Sequence, residues 1–320
     1  VLLWTLVAFI IGNAMIAMAP NFTILVIGRI LSSAAASLII VKVLALTAML
    51  TIPKNRGKMI GVVYTGFSGA NVFGVPIGTM IGDAIGWRFT FLFIIIVSVI
   101  AGVLMMVYLP STSELNQVQR QWGSTSNKQL NTSKILRPAE VVKYLAITFL
   151  ILVANSVTFV YINPLILNHG HQMGFVSLAL LVNGIAGVIG TSLGGILADK
   201  LSSKRWLIIA FSIFIVMMLI MNLILHTVTL LLIGLFIWNI VQWSTNPAIQ
   251  SGMIEHVEGD TSQVMSWNMS SLNAGIGFGG IIGGLVVSNI SVQAVTIVSA
   301  MVGAMGLIIV LSLKNMSYMR

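Results

Sequence analysis

Only 7% of this 320-residue chain is charged and 58% is apolar, which excludes a water-soluble fold, where about 25% of residues carry charge. The net charge of +9 would suit nucleic acid in a soluble protein. Here most basic residues sit in short segments between apolar runs, so a membrane surface accounts for them and nucleic acid is excluded as a partner. Cysteine is absent, which rules out disulfides and thiolate metal sites.

Crossing the hydrocarbon core takes about 20 apolar residues. Charges and Pro-Asn and Gly-Asp breaks punctuate the chain into ten spans near 2–19, 22–50, 59–82, 88–109, 142–167, 173–198, 205–225, 228–254, 262–288 and 291–313. The uncharged run from Tyr144 to Ala198 is split at Asn168-His169-Gly170-His171, which reads as a turn. The expected fold class is therefore all-α, a polytopic bundle of membrane helices. Val1 opens inside an apolar run, without an initiator Met or a basic n-region, and is read as the start of a fragment rather than of a signal peptide. Residues 110–139 are rich in Ser, Gln, Asn and Thr and form a polar linker. It separates an N-terminal half, 1–109, with four spans from a C-terminal half, 140–320, with six.

Alternate loops collect the basic residues: Lys54, Arg56 and Lys58; Arg120, Lys128, Lys134, Arg137 and Lys143; Lys200, Lys204 and Arg205; Lys314 and Arg320. The opposite loops hold only Arg88. The positive-inside rule then places the linker and both visible termini in the cytoplasm. The acidic loop from Glu255 to Asp260 also falls inside, but acidic residues count little in that rule.

Four chemical features stand out. Arg29 lies near the middle of its span, where a charge costs at least about 2.5–3.5 kcal/mol and must face protein or water. It shares a helical face with Ser33, Ala36 and Ser37, and the alternatives are a ligand-facing group or a structural tie to backbone carbonyls. Asn239, Gln242, Trp243 and Asn246 recur at helical spacing before Pro247. They are either the wall of a wet cavity for a flat, hydrogen-bonding solute or interhelical glue. Asn155 and Thr158, and Trp267 and Asn268, are candidate neighbours. Gly66, Ala70, Gly74, Gly78 and Gly82 form a small-residue ridge, suited to static packing or to a sliding contact, and Pro76 should bend it.

The two halves also resemble each other. Shifting by 205 carries Gly66, Ala70, Gly74 and Gly78 onto Ser271, Gly275, Gly279 and Gly283, the pattern of a transporter built from parallel repeats. Lys42, off the Arg29 face, is expected to snorkel; Trp87 and Trp206 read as interfacial anchors. His169 and His171 could bind metal only with further ligands, and none is evident. No phosphate loop or metal-ligand pair argues for an enzyme or for a cofactor.

At this point the chain resembles the major facilitator superfamily, specifically its twelve-span drug:proton antiporter branch, and is most similar there to purine, arabinose-type and chloramphenicol efflux permeases. Three stretches carry the resemblance: Gly28-Arg29 through Ala36; Gly74-Val75-Pro76-Ile77-Gly78 with Gly82 and Gly86-Trp87-Arg88; and Gly195 through Asp199-Lys200 with Lys204-Arg205. The motif's usual second glycine is Ser202 here. The resemblance implies a monomeric secondary transporter of a bacterial cytoplasmic membrane. It would export a drug, purine or sugar-like solute against protons, with the halves rocking around a solute held near the bilayer midplane. It assigns Arg29 to solute binding or proton coupling, and Gly74, Pro76, Gly78, Gly82, Asp199 and Arg205 to conformational motifs. It also implies two further spans upstream of Val1. None of the carboxylates considered, Asp83, Asp199, Glu255, Glu258 and Asp260, lies near a midplane, so the proton carrier is expected in those spans, with Asp83 as the fallback. An importer or facilitator of the same fold, a channel and a membrane-embedded enzyme are the rival readings.

Overall fold

The computed structural model describes residues 2–50, 59, 63, 66, 69–108, 134–258 and 261–314. Two compact units emerge, residues 1–130 and 131–320. Most of the expected linker, the loop carrying Lys54, Arg56 and Lys58, Asp260 and Arg320 lie outside the described residues.

In the first unit, α1 (Leu2–Ala17) and α2 (Phe22–Leu50) form a hairpin. Asn21 starts α2 by accepting the Ile24 N–H on its side-chain oxygen at 3.0 Å, which satisfies an amide that a helix start otherwise leaves free. The hairpin closes on glycine. A Cβ on Gly12 would fall 2.7 Å from the Ser32 nitrogen, and one on Gly28 would fall 2.9 Å from the Gly12 oxygen. A π-helical turn, Ala70–Gly74, leads into α3 (Val75–Ile85). The Val75 N–H reaches back to the Ala70 carbonyl, the wide-turn register that a proline just ahead favours, because Pro76 has no N–H to give. Gly86, at φ 105°, turns the chain into α4 (Trp87–Tyr108).

The second unit begins with a two-residue strand, β1 (Lys134–Ile135), paired antiparallel with β2 (Val257–Glu258). The last residues of the expected linker are thus tied down, and the Leu136 N–H adds a bond to the His256 carbonyl. Pro138 then opens α5 (Pro138–Phe159), with Glu140 in its first turn, a proline and a carboxylate where a helix start accommodates both. The expected span 142–167 is broken: α5 stops at Phe159 and a short helix, α6 (Ile162–Leu167), follows. Pro164 lacks the N–H that would have continued the ladder back to the Val160 carbonyl. The turn expected at 168–171 is present, with Gly170 at φ 83°.

Four long helices and a shorter one complete the unit: α7 (Met173–Leu201), α8 (Ser203–Ile224), α9 (Val228–Ile254), α10 (Ser262–Asn289) and α11 (Ala294–Leu311). The core is filled by Trp238, Phe211, Phe214, Met218 and Met221, each fully buried. Trp206, expected to anchor at the interface, is 9% exposed and belongs to this core.

The register of the glycines explains how α10 sits on α5. Cβ atoms on Gly275 and Gly279 would fall 2.6 Å and 2.7 Å from the carbonyl oxygens of Phe149 and Val153, and one on Gly283 would fall 2.8 Å from that of Val157. Three glycines four residues apart thus lie along three carbonyls four residues apart. Such close approach lets helices associate in lipid, where apolar surface alone gives no drive. On the other side of α5, Thr158 and Ser299 share a hydrogen bond of 2.6 Å, and Ser299 donates to the Ala154 carbonyl. Eight of the described helices are long and apolar enough to cross a membrane, and two shorter apolar helices, Leu2–Ala17 and Val72–Ile85, accompany them.

Candidate functional site

On α2, Gly28, Ser32 and Ala35 are buried, and the opposite face presents Arg29, Ser33 and Ser37 to the exterior of the unit. The Arg29 guanidinium lies 5.7 Å from the centre of the Phe91 ring on α4, within cation–π range. Among the described residues it has no carboxylate partner and no hydrogen bond to a carbonyl, so the structural-tie alternative finds no support there. The Ser37 hydroxyl donates to the Ser33 carbonyl at 3.0 Å.

Along the small-residue ridge of the first unit, nothing among the described residues lies within 4 Å of a Cβ on Gly66, and one on Gly74 would meet only the Ala70 Cβ at 3.9 Å. Toward Gly78 and Gly82 the ridge closes on Thr90, whose hydroxyl donates to the Gly78 carbonyl at 3.0 Å. Pro76 is buried between these ends. Tight backbone packing therefore describes Gly275, Gly279 and Gly283, and among the described residues no such packing is seen at Gly66 and Gly74.

In the second unit Asn239 and Gln242 are buried, Trp243 and Asn246 half-buried. Asn239 donates to the Leu235 carbonyl of its own helix, and Gln250 donates to the Asn246 side-chain oxygen. Trp243 lies along α7: a Cβ on Gly187 would fall 3.1 Å from its indole nitrogen. The Asn155 side-chain oxygen is buried without a partner among the described residues. Asn268 accepts from Thr148 at 2.7 Å and leaves its amide nitrogen unpartnered among them. Thr158 points instead to α11, and Trp267 is 42% exposed. The sequence adds a boundary condition. No Asp, Glu, Lys or Arg occurs from Tyr144 to Ala198, from Trp206 to Ile254 or from Thr261 to Leu313. The spans of this unit hold buried amides and hydroxyls but no charge away from one end.

That end carries the remaining motif. Asp199 and Arg205 line one cavity at the α7–α8 junction, without an ion pair between them among the described residues. Ser202, standing where the motif usually has its glycine, adopts φ 75° and ψ 148°. That backbone region is almost exclusive to glycine and costs any other residue on the order of 1–3 kcal/mol.

Sequence reasoning passed over two neighbours. Glu140 looks like the edge of the linker, yet it is 4% exposed, pairs with Lys143 at 2.9 Å and accepts the Lys314 backbone N–H at 3.1 Å. His256 was submerged in an acidic loop, yet it is 1% exposed and rests against the Tyr144 ring. Burial pushes the His256 imidazole below its usual range, opposed by the charge of Glu140, and partial desolvation pushes the Glu255 carboxyl up. The Pro138 start that turns Glu140 inward was the available signal.

Two units of apolar helices, with Arg29 and Lys42 the exceptions to charge kept near helix ends and with polar groups buried between helices, fit a polytopic membrane carrier. The profile of the Major Facilitator Superfamily matches residues 1–263. The uncharacterized MFS-type transporter YbcL of Bacillus subtilis is 29% identical over 310 residues, covering 96% of this chain and 76% of that one. YtbD of the same organism is 30% identical over 302 residues, covering 90% and 72%. A probable sugar efflux transporter of Helicobacter pylori is 27% identical over 311 residues, covering 96% and 75%. The chain belongs to the Major Facilitator Superfamily: it is a multi-pass membrane transporter and not an enzyme.

Proposed function

We propose that this transporter exports a small, uncharged, hydrogen-bonding solute by alternating access, in antiport with protons. The observation that carries the reading is the composition of the second unit's interior. Asn155 and Asn268 keep buried amide atoms unpartnered among the described residues, in spans free of charge. Buried polar groups normally find partners, so these atoms suit hydroxyls or amides of a solute, whereas a charged solute would meet no counter-charge there. The printed name of the Helicobacter pylori relative, a sugar efflux transporter, supports the sugar-like member of the drug, purine and sugar-like set. Arg29, Ser33, Asn239, Gln242, Trp243 and Asn246 are the further candidates for solute contact or coupling. The carrier works as a monomer in the bacterial cytoplasmic membrane, with the basic loops in the cytoplasm.

Efflux from preloaded cells tests the reading. Pentoses, hexoses, purines and chloramphenicol-like compounds are compared with and without a proton gradient. Gradient-dependent export of a neutral polyol is expected, and Asn155→Ala with Asn268→Ala should change which solutes compete. Accumulation instead of export would make the protein an importer, and flux indifferent to pH in wild type and Asp83→Asn alike would make it a facilitator. Labelling of a cysteine at Ser202 by an impermeant reagent in intact cells would reverse the orientation.

A further inference from the structure

The α7–α8 end of the second unit holds a cavity of about 460 Å³, within the size range of small-molecule sites. Four cations line it from three stretches of chain: Lys200 at the end of α7, Lys204 and Arg205 in the first turn of α8, and Lys314 beyond α11. Among the described residues none of the four is paired with a carboxylate; Lys204 donates to the Leu313 carbonyl at 2.5 Å. Two buried polar atoms on residues lining the cavity have no partner among the described residues: the Ser203 hydroxyl, on a residue 5% exposed, and His256 Nδ1, on a residue 1% exposed. The first turn of α8 has no side-chain cap, so its amides and the positive end of its dipole also face this region. Two carboxylates, Asp199 and Glu255, complete the charged lining, and both are exposed.

A cation excess, an uncapped 22-residue helix and two buried polar atoms without partners among the described residues, all around one cavity, describe a site suited to an anion. We propose that this cavity binds a phosphate group, held by Ser203 and the α8 amides and neutralised by Lys200, Lys204, Arg205 and Lys314. The phosphate is either free inorganic phosphate or the phosphodiester of an anionic lipid headgroup. Once bound, it ties the α7–α8 turn to the segments that follow α9 and α11, and so stiffens this end of the unit.

The test uses the full chain purified in a non-ionic detergent, with Ser203→Ala and the double variant Lys200→Gln/Lys314→Gln, whose side chains are exposed and whose fold is not at risk. In one arm, inorganic phosphate is titrated against chloride at matched ionic strength while thermal unfolding is followed. In the other, co-purified lipid is measured after reconstitution in phosphatidylcholine vesicles with or without phosphatidylglycerol. Saturable stabilisation by phosphate, weakened at least about tenfold in the double variant, supports the site with free phosphate as its source. Selective retention of phosphatidylglycerol by wild type, lost in the variants, supports it with a lipid source. Absence of any response in both arms, or a response of equal size in wild type and both variants, as general salting would give, overturns the proposal.

Discussion

Gly74 and Gly279 align in the internal repeat read from residue order but meet different surroundings, and valine at each separates packing from helix propensity. At Gly279 a Cβ would fall 2.6 Å from the Ser156 Cβ, 2.7 Å from the Val153 oxygen and 3.1 Å from the Val153 Cα. Two of these three are backbone atoms, which cannot swing aside. Overpacking of this kind costs about 1–3 kcal/mol, occasionally more, while valine's propensity advantage over glycine returns only a few tenths. A net loss of about 2 kcal/mol corresponds to a fall of about 4–8 °C in the melting temperature of a domain of this size. At Gly74, among the described residues, only the Ala70 Cβ comes near, at 3.9 Å, and the same substitution should stay within about 0.5 kcal/mol of wild type. Melting of the two detergent-solubilised variants, followed by near-ultraviolet circular dichroism, gives the comparison. Equal shifts in both, or an unchanged Gly279→Val, would refute the inference that one ridge is packed on backbone and the other is not.

Arg29→Ala should abolish transport while leaving the amount of protein in the membrane within about twofold, because the exposed side chain makes no ion pair or carbonyl hydrogen bond among the described residues; loss of the protein itself would show a structural role. Ser202→Gly should raise the melting temperature, relieving on the order of 1–3 kcal/mol of backbone strain, and an unchanged or lower value would show that the turn is held by the serine. Glu255 is exposed yet partly desolvated where it lines the cavity, which pushes its carboxyl up, so the stability linked to its proton is complete below the ordinary carboxylate range and is lost as pH rises through the folded value. Glu255→Gln should therefore melt above wild type near neutrality and match it near pH 4, about the ordinary Glu value; a constant difference at both pH values would exclude that linkage.

Local pattern and composition were sufficient for everything that depends on the bilayer as solvent. A stretch of twenty apolar residues has nowhere else to go, so the all-helical class, most of the spans and the turn at residues 168–171 were legible from residue order, while the break of the expected span 142–167 after Phe159 was not. Motifs such as Gly28-Arg29 and Asp199-Lys200 carried the family in the same way. What residue order could not supply was the rotation of each helix about its axis. Asn239 and Trp243 share a helical face by spacing, yet only packing shows that Asn239 bonds back to Leu235 while Trp243 lies on Gly187. Glu140 is three residues from Lys143 in sequence, but it also accepts the backbone N–H of Lys314, 174 residues away. Gly74 and Gly279 align in the repeat read from residue order, yet among the described residues another backbone lies alongside Gly279 and none lies alongside Gly74. Hydropathy decides whether a segment enters the membrane, because that is a transfer free energy summed over the segment. Which face meets a neighbour is decided by contacts between distant segments, and these exist only once the helices have packed.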